Sequence, residues 1–168
     1  LPLMVLIQAS FSRAWGRGLS VANFTLANYR TLIFEHDMAM VSIWNTIWFA
    51  GTAATAAVVI ALLVAYIVQR KLVPFGDALS FLAMAPFVIP GIVMAIGFYA
   101  AYAGPPLSLY GTATLIILAF TARFLPIAYA NASSAIRAVH PEPEEAARIL
   151  GSARPRAVSA ITAPLATR

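Results

Sequence analysis

Thr46-Ile-Trp-Phe-Ala-Gly-Thr-Ala-Ala-Thr-Ala-Ala-Val-Val-Ile-Ala-Leu-Leu-Val-Ala-Tyr-Ile-Val68 contains no charged residue, and Gln69-Arg70-Lys71 closes it. An uncharged apolar run of this length reads as a membrane-crossing helix, here assigned to 41–68. Small residues recur along it at four-residue steps: Gly51 with Thr55, Ala53 with Ala57, and Ala61 with Ala65. Such spacing lets helix backbones approach closely in lipid. The preference of alanine for helices would produce the same pattern without any packing role.

The rest of the chain agrees with a membrane class. Its 168 residues are 61% hydrophobic and 10% charged, whereas soluble domains run at about half apolar and a quarter charged. A soluble globular enzyme and a disordered chain are both excluded on that balance. The absence of cysteine removes disulfides, thiol nucleophiles and thiolate metal sites. The expected architecture is an all-α polytopic transmembrane bundle, incomplete in this chain. Leu1 to Ile7 is apolar but short and has no basic flank, so residues 1–11 are expected to be the end of a truncated span rather than a signal peptide.

Two further crossings are expected, at 79–102 and 109–130. The first contains Pro86, Pro90 and Gly91. Two prolines four residues apart remove two backbone donors and should kink or break the helix. Lipid tolerates this only where protein or water satisfies the freed carbonyls, so these three residues are candidates for a pathway-facing break; a purely structural kink fits them as well. The second contains Arg123 and Pro126. An arginine within a span costs about 2.5–3.5 kcal/mol on insertion scales. Its position toward the C-terminal end of 109–130 favours snorkelling to the nearer interface.

Alternating crossings put the loop 12–40 and the turn 104–108 on one face, and the turn 69–78 and the tail on the other. The first face holds Arg13, Arg17 and Arg30; the second holds Arg70, Lys71, Arg137, Arg148, Arg154, Arg156 and Arg168. The positive-inside rule makes the second face cytoplasmic. The net charge of +5 is therefore topological, and no nucleic-acid partner is expected. In the outer loop, Thr25 could cap a short amphipathic helix reaching Phe34. His36 and His140 fall on opposite faces, so they make no joint metal site. Asn23-Phe-Thr25 and Asn131-Ala-Ser133 match the glycosylation pattern, which is too common to use.

The tail 137–165 has its own organisation. Glu142, Glu144 and Glu145 crowd the first turn of a short helix, where the helix dipole favours negative charge. Gly151 fits a left-handed C-terminal cap. Pro155 suits the start of a second short helix, and Pro164 should stop it. Two short helices outside the spans make a knob that should lie on lipid or dock into a groove, and the acidic first turn disfavours anionic lipid.

At Glu145-Ala146-Ala147, Gly151, Ile161 and Pro164 the tail resembles the inner-membrane permease subunits of binding-protein-dependent ABC importers. Their signature is Glu-Ala-Ala, three residues, Gly, nine residues, Ile, one residue, Leu-Pro. Ala163 stands where the family usually has Leu. Asn45-Thr46, the segment Pro86 to Gly91, Leu107-Ser-Leu-Tyr-Gly-Thr112 and Leu125-Pro126 extend the resemblance over nearly the whole chain.

The resemblance implies an ATPase-coupling loop in which Glu145 is the polar anchor, Ala146 and Ala147 permit close approach, and Gly151 sets the angle to the second helix. The implied partners are cytoplasmic ATPase subunits, a periplasmic substrate-binding protein, and a second permease half or homologous subunit. The implied location is the bacterial inner membrane. No Gly-x-x-x-x-Gly-Lys-Ser/Thr occurs, so this chain is expected to be no enzyme: it should hold no cofactor, no metal and no catalytic residue, with ATP on a partner. Pro90-Gly-Ile-Val-Met-Ala-Ile-Gly97 looks most like ferric-iron permeases. Thiamine, polyamine and phosphonate permeases share much of it. A secondary transporter would need coupling carboxylates in the spans, and a scaffold would need no proline–glycine break.

Overall fold

The computed structural model describes residues 2–18 and 20–166, so the expectations at Leu1 and Arg168 lie outside the described residues. Every regular element among these residues is helical, with one isolated antiparallel bridge between Ser12 and Phe24. The chain divides into two compact units, Leu1–Trp48 and Phe49–Arg168.

In the first unit, α1 (Pro2–Ser10) leads into the long loop, which is folded around one amide. Asn23 is buried: its Nδ2 donates to the carbonyls of Ala14 (3.2 Å) and Gly18 (3.0 Å), and its Oδ1 accepts from the Ala14 N–H at 3.1 Å. With the amide fully engaged, the glycosylation pattern at Asn23 has no free acceptor. Phe11 stacks on Phe24 with ring centroids 5.6 Å apart. The short helix is present but differently built. α2 (Ala27–Arg30) continues as a wide π turn over Thr31–Glu35. Thr25 Oγ1 accepts from the Ala27 N–H at 3.1 Å, while Leu26 holds the cap position.

α3 (Asp37–Gln69) is one continuous helix, with Asp37 in its first turn. Ala53, Ala57, Ala61 and Ala65 are all buried and form a single stripe at four-residue steps. Gly51 and Thr55 are exposed, so of the small-residue pairs only the alanine ones line up as a packing seam. Ala61 and Ala65 meet Ala83, Tyr129, Ala132 and Ile136 in the core of the second unit. Alanine lets backbones come close enough for polar contacts between helices. Thr121 Oγ1 donates to the Ala53 carbonyl at 3.4 Å, and Gln69 Nε2 donates to Ser133 Oγ at 2.7 Å.

Residues 79–102 fall into two helices, α4 (Gly76–Val88) and α5 (Gly91–Tyr102), which meet at 111°. The break lies at Ile89-Pro90; Pro86 remains inside α4 and Gly91 begins α5. α6 (Ala113–Ala138) contains Arg123 and the fully buried Pro126. Thr112 caps it, its Oγ1 accepting from the Leu115 N–H at 3.4 Å. α3 and α6 are each long and apolar enough to cross a membrane, and the bent α4–α5 pair passes the same test when taken together.

The tail forms α7 (Glu142–Ile149), α8 (Arg154–Ala157), a π turn over Val158–Thr162, and α9 (Ala163–Ala166). Pro164 does not stop the second arm. It sits inside α9 directly after the π turn, the kind of local widening by which a helical path absorbs irregularity.

Candidate functional site

The second unit gathers a polar cluster where α3 ends and the tail begins, centred on Glu144. Glu144 is 5% exposed. Arg70 Nε donates to its Oε2 at 3.2 Å, Thr162 Oγ1 donates to the same oxygen at 3.0 Å, and the Tyr66 hydroxyl donates to Oε1. The Arg70 Nη atoms reach the Val139 carbonyl at 3.3 and 3.4 Å. One carboxylate thus ties the end of α3, the end of α6 and both arms of the tail together.

The local sequence explains the convergence. Arg70 follows the last residue of α3 and lies four on from Tyr66, its N–H still bonded to the Tyr66 carbonyl at 3.0 Å, so the two side chains share one face. Glu144 lies in the first turn of α7, where the helix dipole favours its charge. Burial pushes the Glu144 carboxyl up, but the hydrogen bonds from Tyr66 and Thr162 and the Arg70 charge outweigh it. The net result holds the group below the ordinary carboxylate value. A buried charge that keeps its ionisation is one whose partners fill its lone pairs.

The next residue faces elsewhere. Glu145 and Ala146 are exposed and Ala147 is half-buried. The anchor within this chain is therefore Glu144, and Glu145 stays on the outer surface of the same helix. Ile149 and Leu150 are 86% and 88% exposed. Gly151 ends α7 at φ +92°, with its own N–H bonded to the Arg148 carbonyl and the Ser152 N–H to the Ala147 carbonyl, both at 3.0 Å. That pair of bonds is a Schellman motif, which needs the left-handed conformation at its glycine. Ile161 is half-buried and Pro164 exposed.

Pro86, Pro90 and Gly91 are not part of this cluster. They form the α4–α5 corner, and Arg123 of α6 reaches it: its Nη1 donates to the carbonyls of Ile89 at 3.1 Å and Pro86 at 3.3 Å. The guanidinium is thus engaged at the corner rather than extended along α6. α6 extends to Ala138, which places the arginine nearer the middle of its helix than 109–130 suggested. Among the described residues no three histidine or acidic side chains cluster as metal ligands.

From the sequence, none of Tyr66, Arg70, Glu144 and Thr162 has a place in a site, and Glu144 reads only as a helix-start charge. Tyr66 reads as part of an apolar span and Arg70 as loop charge. The signal available was the four-residue spacing of a phenol and a guanidinium at the end of a span, with a run of acids in the tail to receive them.

The geometry defines a helical membrane protein with a structured knob on the end of its spans. No protein-family model matches the chain. It is 32% identical over 158 residues, 93% of its length, to the putative ferric transport system permease protein FbpB 1 of Haemophilus influenzae, covering 24% of that protein. It is 32% identical over the same share of its length to the ferric transport system permease protein FbpB of Actinobacillus pleuropneumoniae, covering 23% of it. To the probable ABC transporter permease protein y4fN of Sinorhizobium fredii it is 27% identical over 98% of its length and 30% of the relative. Along nearly its whole length the chain is therefore similar to ABC transporter permeases. It spans 23% to 30% of the length of these curated relatives.

Proposed function

We propose that this chain is the membrane part of an ATP-driven importer and that its tail couples the spans to a separate cytoplasmic ATPase. The observation that carries this is the two-faced helix α7. Its inner face is pinned to α3 through Glu144, Arg70 and Tyr66, while Ile149 and Leu150 stand out from the chain. An apolar tip on a rigidly anchored helix suits insertion into a groove of a partner. A push on that tip reaches α3 through the buried ion pair and α6 through the Arg70–Val139 contact. Gly151 keeps the two arms at a fixed angle. ATP is held and hydrolysed by the partner, and a binding protein delivers the cargo from the opposite face.

Ferric iron is the proposed cargo. Two of the relatives are ferric transport permeases, and the Pro90–Gly97 wording supports the same choice. The test is a reconstituted transporter with its ATPase and binding protein in liposomes, loaded with radiolabelled ferric iron. Glu145→Ala and Gly151→Val together should abolish import and weaken ATPase binding. Unchanged import with both substitutions would defeat the coupling assignment. Uptake of thiamine, a polyamine or a phosphonate in place of iron would replace the cargo and leave the coupling intact.

A further inference from the structure

Arg123 sits where no loop or tail explains a charge. It lies ten residues into α6, so at about 1.5 Å per residue it is roughly 15 Å from the first residue of that helix and about 22 Å from the last. An arginine side chain is shorter than either distance. Its guanidinium turns instead to two carbonyls at the α4–α5 corner, those of Pro86 and Ile89.

The chemistry of that corner supplies the reason. In a continuing helix the Pro86 carbonyl would accept from the N–H of residue 90. Residue 90 is proline and has no N–H. The Pro86 carbonyl is thereby orphaned in a segment where lipid offers no donor. Arg123 Nη1 donates into that vacancy and bridges to Ile89 on the far side of Val88. Its charge also lies at the C-terminal end of α4, where the helix dipole favours a cation.

We infer that Arg123 is a positioning residue that clamps the 111° corner between α4 and α5 onto α6, by replacing the donor that Pro90 removes. On the importer assignment above, corner and α6 then move as one body during transport. Arg123 touches no cargo in this role.

The experiment uses the whole transporter in lipid nanodiscs, with spin labels at Leu82 and Ile96, whose side chains are exposed on α4 and α5. Arg123→Met should broaden the distance distribution across the corner and lower the melting temperature. In a Pro90→Ala background residue 90 regains an N–H, which lets α4 continue through Ile89 and satisfy the Pro86 carbonyl from within the helix. The melting-temperature loss from Arg123→Met should there be distinctly smaller. If Arg123→Met fails to insert, Arg123→Lys carries the same cycle, with one ammonium donor kept and a smaller effect. Import per inserted transporter should fall about tenfold for Met, the scale of a lost charged hydrogen bond, and less for Lys. An unchanged distance distribution, or losses that simply add in the double variant, would overturn the clamp. The distance distribution and the melting temperature need neither cargo nor ATP, so wild-type import tests the importer assignment separately.

Discussion

Two polar junctions hold the second unit, a buried one at the tail and an exposed one at the α4–α5 corner, and they are built in opposite ways. At the tail, the carboxylate of Glu144 is satisfied by three side chains, those of Tyr66, Arg70 and Thr162. At the α4–α5 corner, the Arg123 guanidinium is satisfied by two main-chain carbonyls. The first junction exists because residues from distant elements were selected to meet one charge. The second exists because a proline left a backbone group without a donor. A side-chain junction can be dismantled one residue at a time; a main-chain junction changes only when the arginine or the proline changes. The first suits a joint that transmits force to several helices, the second a joint that fixes one angle.

The largest effect should come from breaking the first junction at its centre. Glu144→Ala removes the carboxylate from the half-buried Arg70, which keeps only the Val139 carbonyl, and strips Tyr66 and Thr162 of their acceptor; about 2–3 kcal/mol is expected. Thermal melting of the assembled transporter checks it. The same junction should carry a pH signature. The Glu144 carboxyl is held below its ordinary value of 4.5, so the folded state binds this proton less readily than the unfolded chain. Its stabilisation is complete above about 4.5 and is lost as pH falls through the folded-state value. The protection factors of the α7 amides, exchange rates taken relative to the intrinsic rate at each pH, should therefore fall on acidification in the wild type. In Glu144→Gln the component of that fall due to this residue should vanish.

Gly151→Val forces a β-branched residue into the left-handed region, at about 1–2 kcal/mol. Since nothing lies near the position a Cβ would take, the cost should be conformational alone, and Gly151→Asn should recover much of it. Tyr66→Phe removes one of several donors from Glu144, and about 1 kcal/mol is expected by melting. The smallest stability effect should be Glu145→Ala, within about 0.5 kcal/mol as for other exposed sites. Its import rate should nevertheless collapse. That separation of stability from transport between neighbouring residues sharpens the contrast between an inward and an outward acid.

Much of the fold was legible because lipid enforces it. The uncharged run Thr46–Val68 has few alternatives to a helix, and the alanine steps within it do form a seam. Which small residues would be used was not legible: Gly51 and Thr55 have the same spacing as Ala53 and Ala57, and only the neighbouring helices decide the face. The tail's helix–glycine–helix plan was readable from Glu142, Gly151 and Pro155, since caps and dipoles act locally. The choice between Glu144 and Glu145 was not, because adjacent helical residues differ by about 100° in direction and the phase depends on where α7 meets α3. Pro86 and Pro90 both predict disruption, and their order of importance depends on Arg123, which lies 37 residues after Pro86. The π turn before Pro164 left no mark that periodicity could detect.

The exposed tip of α7 is proposed to seat in the ATPase. A photo-crosslinking residue placed at Ile149 in the reconstituted transporter, irradiated with and without nucleotide, tests it directly. An adduct with the ATPase subunit, lost on Gly151→Val, is expected. Adducts with lipid alone, or with the binding protein, would contradict it.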